Sequence, residues 1–181
     1  MKNVAIVLAA VLMPLAAQEI KLENLDKLAA RADETVNVSL DGTMLKFAGR
    51  FISGHGDDEA RAKKVLSGID SITVRSFEFS SEGRYDAADV DAVRAQVKGP
   101  QWSRIVGVTS RRDGDNVDVY FKDAGNGNLG GILVLCADPR SLTVVSITGT
   151  LDPSELADLS GHFGIPKLEL AIAIHGRKGA K

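Results

Sequence analysis

The sequence predicts an α+β fold, a mostly antiparallel sheet with helices packed on one face. Three observations predict it. Helical spacing of apolar residues dominates the chain before Trp102, and strand-like runs dominate after it. The links between the late strands are short, which joins antiparallel neighbours and excludes crossovers. Helices early and strands late are the pattern of segregated α and β layers.

Taken in order, "LENLDKLAARA" places Leu22, Leu25, Leu28, Ala29 and Ala32 on one helical face. "TVNVSL" alternates, with Val36, Val38 and Leu40 on one side of a strand, and Asp41-Gly42 turns the chain. Met44, Phe47, Ala48, Phe51 and Ile52 follow helical spacing and are the expected buried stripe of an amphipathic helix. After "SGHG", Ala62, Val65, Leu66 and Ile69 resume that spacing, and Gly68 ends the helix. "SITVRSFEFS" is a strand whose phase changes. Ile72 and Val74 lie on one face, and Phe77 and Phe79 on the other unless a bulge falls near Arg75 and Ser76. Asp86 caps a helix in which Val90, Val93 and Val97 share a face, and Gly99-Pro100 stops it. "SRIVGVTS", "NVDVYFKD", "LGGILVLCA" and "SLTVVSITG" then form a C-terminal four-stranded meander. "LDPSELADLSGHFG" reads as a further helix, with Asp152 as cap, Pro153 first and Glu155 closing a capping box.

The opening "MKNVAIVLAAVLMPLAAQ" has a basic start, an apolar run and small residues. That is the layout of a secretory signal peptide, with cleavage expected after Ala17. The run is shorter than the roughly 20 residues that span a bilayer. Gln18 stands where a lipid-anchored chain needs Cys, so the mature chain is expected to carry no stable membrane anchor. The expected organisation is a signal peptide at 1–17, a single domain at 18–168 and a flexible tail at 169–181. Export would place the protein in the periplasm or outside the cell. Loss of Lys2 takes the formal charge from −2 to −3. That balance does not suggest a nucleic-acid partner, which would favour a basic face.

"GNGNLG", residues 125–130, has the Gly-x-Gly-x-x-Gly spacing of a dinucleotide loop. Such a loop needs a helix after it. The next residues are the β-branched run "GILVLCA", so the glycines are expected to serve a β-turn. His55, Asp57, Asp58 and Glu59 could ligate a metal, but read better as a polar loop with an acidic first helical turn. Asp113, Asp115 and Asp118 lack the closing Glu of a calcium loop and read as an exposed hairpin tip. Cys136 is the single cysteine, without a Cys-x-x-Cys partner, and is expected to be a small buried hydrophobe. Trp102 is expected to seal the core edge and Arg111-Arg112 to be solvated. Asn37-Val38-Ser39 matches a glycosylation sequon but falls in a predicted strand. No nucleophile elbow, zinc-protease helix or phosphate loop occurs. No catalytic, cofactor or metal residue is therefore assigned.

The strings "SITVRSFEF", "RYDAADVDAVRAQVKGPQWSRIVGV", "VDVYFKDAGNGNLGGILVLCADPRSLTVVSITGTLD" and "HFGIP" occur in that order between Leu25 and Leu168. Together they resemble a bacterial family described as domain of unknown function 4252. The resemblance implies an exported or lipid-anchored protein and an envelope-signalling context of the sigma/anti-sigma type. It implies no catalytic residues. The expected function is a non-enzymatic binding domain with an envelope protein partner. The alternative is a carrier of a small apolar ligand, in a pocket lined by Phe47, Phe51, Phe77 and Phe79. An unrecognised enzyme ranks third.

Overall fold

The computed structural model describes residues 20–51, 57–112 and 114–154, with every side chain in them except those of Asp57, Asp58 and Arg61. Six strands form one sheet: β1 (Glu34–Asp41), β2 (Ile69–Glu78), β3 (Trp102–Thr109), β4 (Asn116–Gly125), β5 (Asn128–Asp138) and β6 (Ser141–Leu151). Their order is β1-β2-β6-β5-β4-β3, and every neighbouring pair is antiparallel. The last four strands are the predicted meander. Strand β6 joins it to the β1–β2 pair.

One face of the sheet is covered by the 3-10 turn Glu23–Leu25, helix α1 (Asp26–Ala29) and helix α4 (Ala87–Gln96). Leu22, Leu25 and Leu28 are buried at a spacing of three, which suits that 3-10 entry, whereas Ala29 is exposed. Val90, Val93 and Val97 bring α4 onto the same core, as its spacing predicts. The sheet supplies Phe77, Leu133, Leu135, Leu142 and Val144. Each such aliphatic or aromatic side chain contributes roughly 1.5–3 kcal/mol by leaving water. Asp86 and Asp89 form a capping box at the start of α4, in which the Asp86 N–H donates to the Asp89 carboxylate at 3.1 Å.

Helices α2 (Gly42–Gly49) and α3 (Asp57–Gly68) sit at one end of the sheet, because β1 runs directly into α2 and α3 directly into β2. The Asp41 carboxylate accepts from the Met44 N–H at 2.8 Å and caps α2. The predicted buried stripe of α2 is wrong. Met44, Phe47 and Phe51 are 55%, 59% and 68% exposed, Ala48 is exposed too, and Leu45 is the buried residue. Periodicity finds the more apolar face of a helix. Here the exit of β1 and the approach of α3, whose Ala62 and Val65 are buried, decide which face turns inward. Ile52 lies outside the described residues.

The phase change in β2 is real. No bulge interrupts its pairing between Ser71 and Glu78, so Ile72 and Val74 lie on one face and Phe77 on the other. "GNGNLG" is the hairpin between β4 and β5. Asn126 and Gly127 have φ of 56° and 80° between the paired Gly125 and Asn128, the left-handed pair of a type I′ turn. The expected signal peptide, the helix from Pro153 onward and the tail at 169–181 fall wholly or mostly outside the described residues.

Candidate functional site: an open valine-rich sheet face

Strand pairing aligns the second face of the sheet into three rows. The middle row is Val38-Val74-Val145-Val134-Val119-Val106, one valine from each strand. On one side of it runs Leu40-Ile72-Ile147-Ile132-Phe121-Ser103. On the other runs Val36-Ser76-Thr143-Cys136-Val117-Val108. Side chains alternate across a pleated strand, so every member of these rows points away from the helix-covered core. None of them is fully buried, and Val36 and Val108 are 42% and 52% exposed.

These rows contain no charged side chain. The Ser76 and Thr143 hydroxyls bond each other at 2.7 Å, so that polar pair is satisfied within the rows. The three rows cross six strands about 4.8 Å apart and run five residues along them, roughly 24 by 13 Å, on the order of 300 Å². The largest apolar patch on an ordinary monomer is about 300–600 Å². The rows therefore form a patch of the size that is often functional on a monomer.

Among the described residues, the buried acids Asp118 and Asp89 lie on the covered side. Asp118 is 1% exposed and faces α4. It accepts from Arg94 Nε at 2.8 Å, pairs with Arg94 Nη2 at 2.7 Å, and also binds Arg104. Gly107, opposite Asp118, makes room for this: a Cβ there would lie 2.3 Å from Arg104 Cζ. Burial disfavours the Arg94 charge, but the Asp118 carboxylate outweighs it and raises the Arg94 pKa. Asp89 is buried at the start of α4, 2.6 Å from Lys27 Nζ. Burial would raise its pKa, yet the Lys27 and Asp86 hydrogen bonds with the Lys27 and Arg31 charges hold it below the usual carboxylate value. A cleft of about 410 Å³ is lined by Ile20, Lys21, Leu22, Glu23, Ser39, Thr73 and Arg75. Arg75 Nε lies 3.7 Å from Asp26, and the cleft mixes both signs of charge. The Asp118–Arg94 pair ties α4 to the sheet, and the Asp89–Lys27 pair ties α4 to α1.

Asp118 is no hairpin-tip residue but the most buried acid described, and Asp113 lies outside the described residues. His55 and the side chains of Asp57 and Asp58 also lie outside them, and Glu59 pairs with Lys63. Among the described residues no group of three or more His, Cys, Asp or Glu is placed to hold a metal. Trp102 packs on the core edge and Arg111 and Arg112 are exposed. Cys136 is half-buried on the open face rather than sealed in the core, and burial with the nearby Asp118 charge raises its thiol pKa. The four phenylalanines do not line one pocket. Phe77 and Phe79 are core residues, while Phe47 and Phe51 are exposed with ring centroids 5.0 Å apart.

The alternation that builds the open face is written in "TVNVSL", "ILVLCA" and "LTVVSI", but the alignment of valines across six strands is not local and has no signal within any one of them. Among the described residues no helix is long and apolar enough to cross a membrane. No curated protein and no solved structure matches the chain. Residues 29–159 match the family described as Domain of unknown function (DUF4252), and the chain belongs to that family.

Proposed function

We propose that the protein is an exported, non-enzymatic binding domain of the cell envelope, and that it docks a protein partner on the open face. The observation that carries this reading is the three-row apolar surface, whose roughly 300 Å² would form the apolar centre of the roughly 800 Å² that one partner contributes to a standard interface. The signal-like pattern of residues 1–17 supports export. The absence of charge in the rows selects a flat, uncharged, apolar partner surface, since a buried unpaired charge would cost several kcal/mol. An envelope-signalling partner of the sigma/anti-sigma type is the most specific form of this proposal.

The test is affinity capture from envelope extracts with the wild-type chain and with Val145→Asp, which places one carboxylate in the middle row. The reading expects a protein enriched by the wild type and reduced about tenfold or more by the variant, the equivalent of about 1.4 kcal/mol. Identical captured sets from a correctly folded variant would refute it.

A further inference from the structure

We propose that the cleft between residues 20–23 and the β1–β2 pair is a binding site for a small polar carboxylate, held by the Arg75 guanidinium. The cleft lies on the helix-covered side of the sheet. The inference therefore goes beyond the docking role of the open face and stands or falls without it.

The floor of the cleft is polar where a covered sheet face is ordinarily apolar. Strand pairing aligns Ser39, Thr73 and Ser146 in one row across β1, β2 and β6, with Arg75 in the row beside it. Ser39 is exposed, Thr73 partly buried and Ser146 only 5% exposed, so the row runs inward from the sheet edge. Elsewhere across β2 and β6 the facing hydroxyls satisfy each other, Ser71 with Thr148 at 2.8 Å and Ser76 with Thr143 at 2.7 Å. Thr73 and Ser146 are paired in the same way, yet among the described residues no hydrogen bond joins their hydroxyls.

Arg75 carries the argument. Its side chain is 13% exposed. Its Nη1 donates to the Val74 carbonyl at 3.1 Å, but the buried Nε–H has no hydrogen-bond partner among the described residues. The Asp26 carboxylate, 3.7 Å away, is too far to accept it. A buried donor left unpaired is costly and rare, so a ligand that supplies the acceptor gains from it.

The wall opposite this floor is held in place. The Lys21 N–H donates to Gln96 Oε1 at 2.7 Å, and Gln96 Nε2 donates to the Lys21 carbonyl at 2.9 Å, which pins residues 20–23 to the end of α4. The cleft of about 410 Å³ has room for a small molecule. Charge sets the class. A planar guanidinium matches a carboxylate, and the Ser39 and Thr73 hydroxyls offer neutral donors to a second oxygen or to polar substituents. Lys21 adds a second cation, while Glu23 in the lining and Asp26 beside Arg75 disfavour a dianion such as phosphate.

The Arg75 Nε–H signal in a proton–nitrogen correlation spectrum reads the site directly. Titration with sodium lactate or glycine should shift it saturably, together with the Ser39 and Thr73 amides, with Kd on the order of 1 mM or tighter for at least one of them. Sodium chloride at equal ionic strength should leave the signals in place. Arg75→Gln should weaken the response of the Ser39 and Thr73 amides about tenfold or more. No saturable shift with either carboxylate, or an equal response to chloride, would overturn the proposal. Tighter binding of inorganic phosphate than of both carboxylates would also overturn it. Should Arg75→Gln fail to fold, Thr73→Val keeps the side-chain shape and removes one hydroxyl. It should weaken binding about threefold or more, and an unchanged Kd would count the cleft out.

Discussion

Replacing Asp118 with Ala should destabilise the protein by about 2–3 kcal/mol, through the loss of its three contacts to Arg94 and Arg104. Removing one partner of a buried ion pair costs about 3–5 kcal/mol when the stranded charge stays dry. The side chains of Arg94 and Arg104 are 30% and 47% exposed, so both guanidinium groups can partly rehydrate, which moves the expectation toward the low end. The two would also be left close together, without the carboxylate they share, beneath α4. Arg104→Ala is the control. It should cost less than about 1 kcal/mol, because Arg94 still engages Asp118 through two nitrogens and Arg104 is the more exposed cation. Urea unfolding followed by far-UV circular dichroism gives the stabilities. Trp102, the only tryptophan, sits on the same face and reports the local change by fluorescence. A loss below about 0.5 kcal/mol for Asp118→Ala, within the range of an ordinary surface change, would refute this account. So would a larger loss for Arg104→Ala than for Asp118→Ala.

Two further predictions concern the core rim and the hairpin. Burial, with a contribution from the Asp138 charge, raises the Tyr85 pKa from 10.0 to about 12. The unfolded chain therefore ionises first, and the stability this phenol contributes is present below about pH 10 and is lost as pH rises toward 12. Absorbance titration should show a phenol ionising near 12 that disappears in Tyr85→Phe. That variant should also cost about 1 kcal/mol at about pH 8, because Tyr85 donates to the Asp138 and Ser141 carbonyls. Gly127→Ala should cost about 1–2 kcal/mol in thermal or urea unfolding, because Gly127 occupies the left-handed region at φ 80° with nothing near its Cβ position. A neutral effect would mean that backbone conformation is not what requires glycine there.

Much of the fold is legible in the sequence, and the limits have physical causes. The meander follows from β-branched alternation and short turns, and "GNGNLG" from its flanks, because turn chemistry is local. Helix α4 follows from Asp86 and a valine spacing that agrees with its packing. Helix α2 misleads because Met44, Phe47 and Phe51 are more apolar as a set than the face that carries Leu45. Asp118 misleads because neighbouring aspartates suggest a hairpin tip. Its partner Arg94 is 24 residues away, and only packing brings the two together.

The alternation of each strand, the caps, the turns and the apolar amino-terminal run are all readable before any folding, since each depends on neighbours a few residues apart. So is the apolar character of both faces of several strands, visible in the phase change of "SITVRSFEF". Long-range packing chooses which face the helices cover, and it alone lines up six valines in one row on the other. Register between strands is set across the whole sheet: a slip of one residue in any pair would break the row, and no single strand records it.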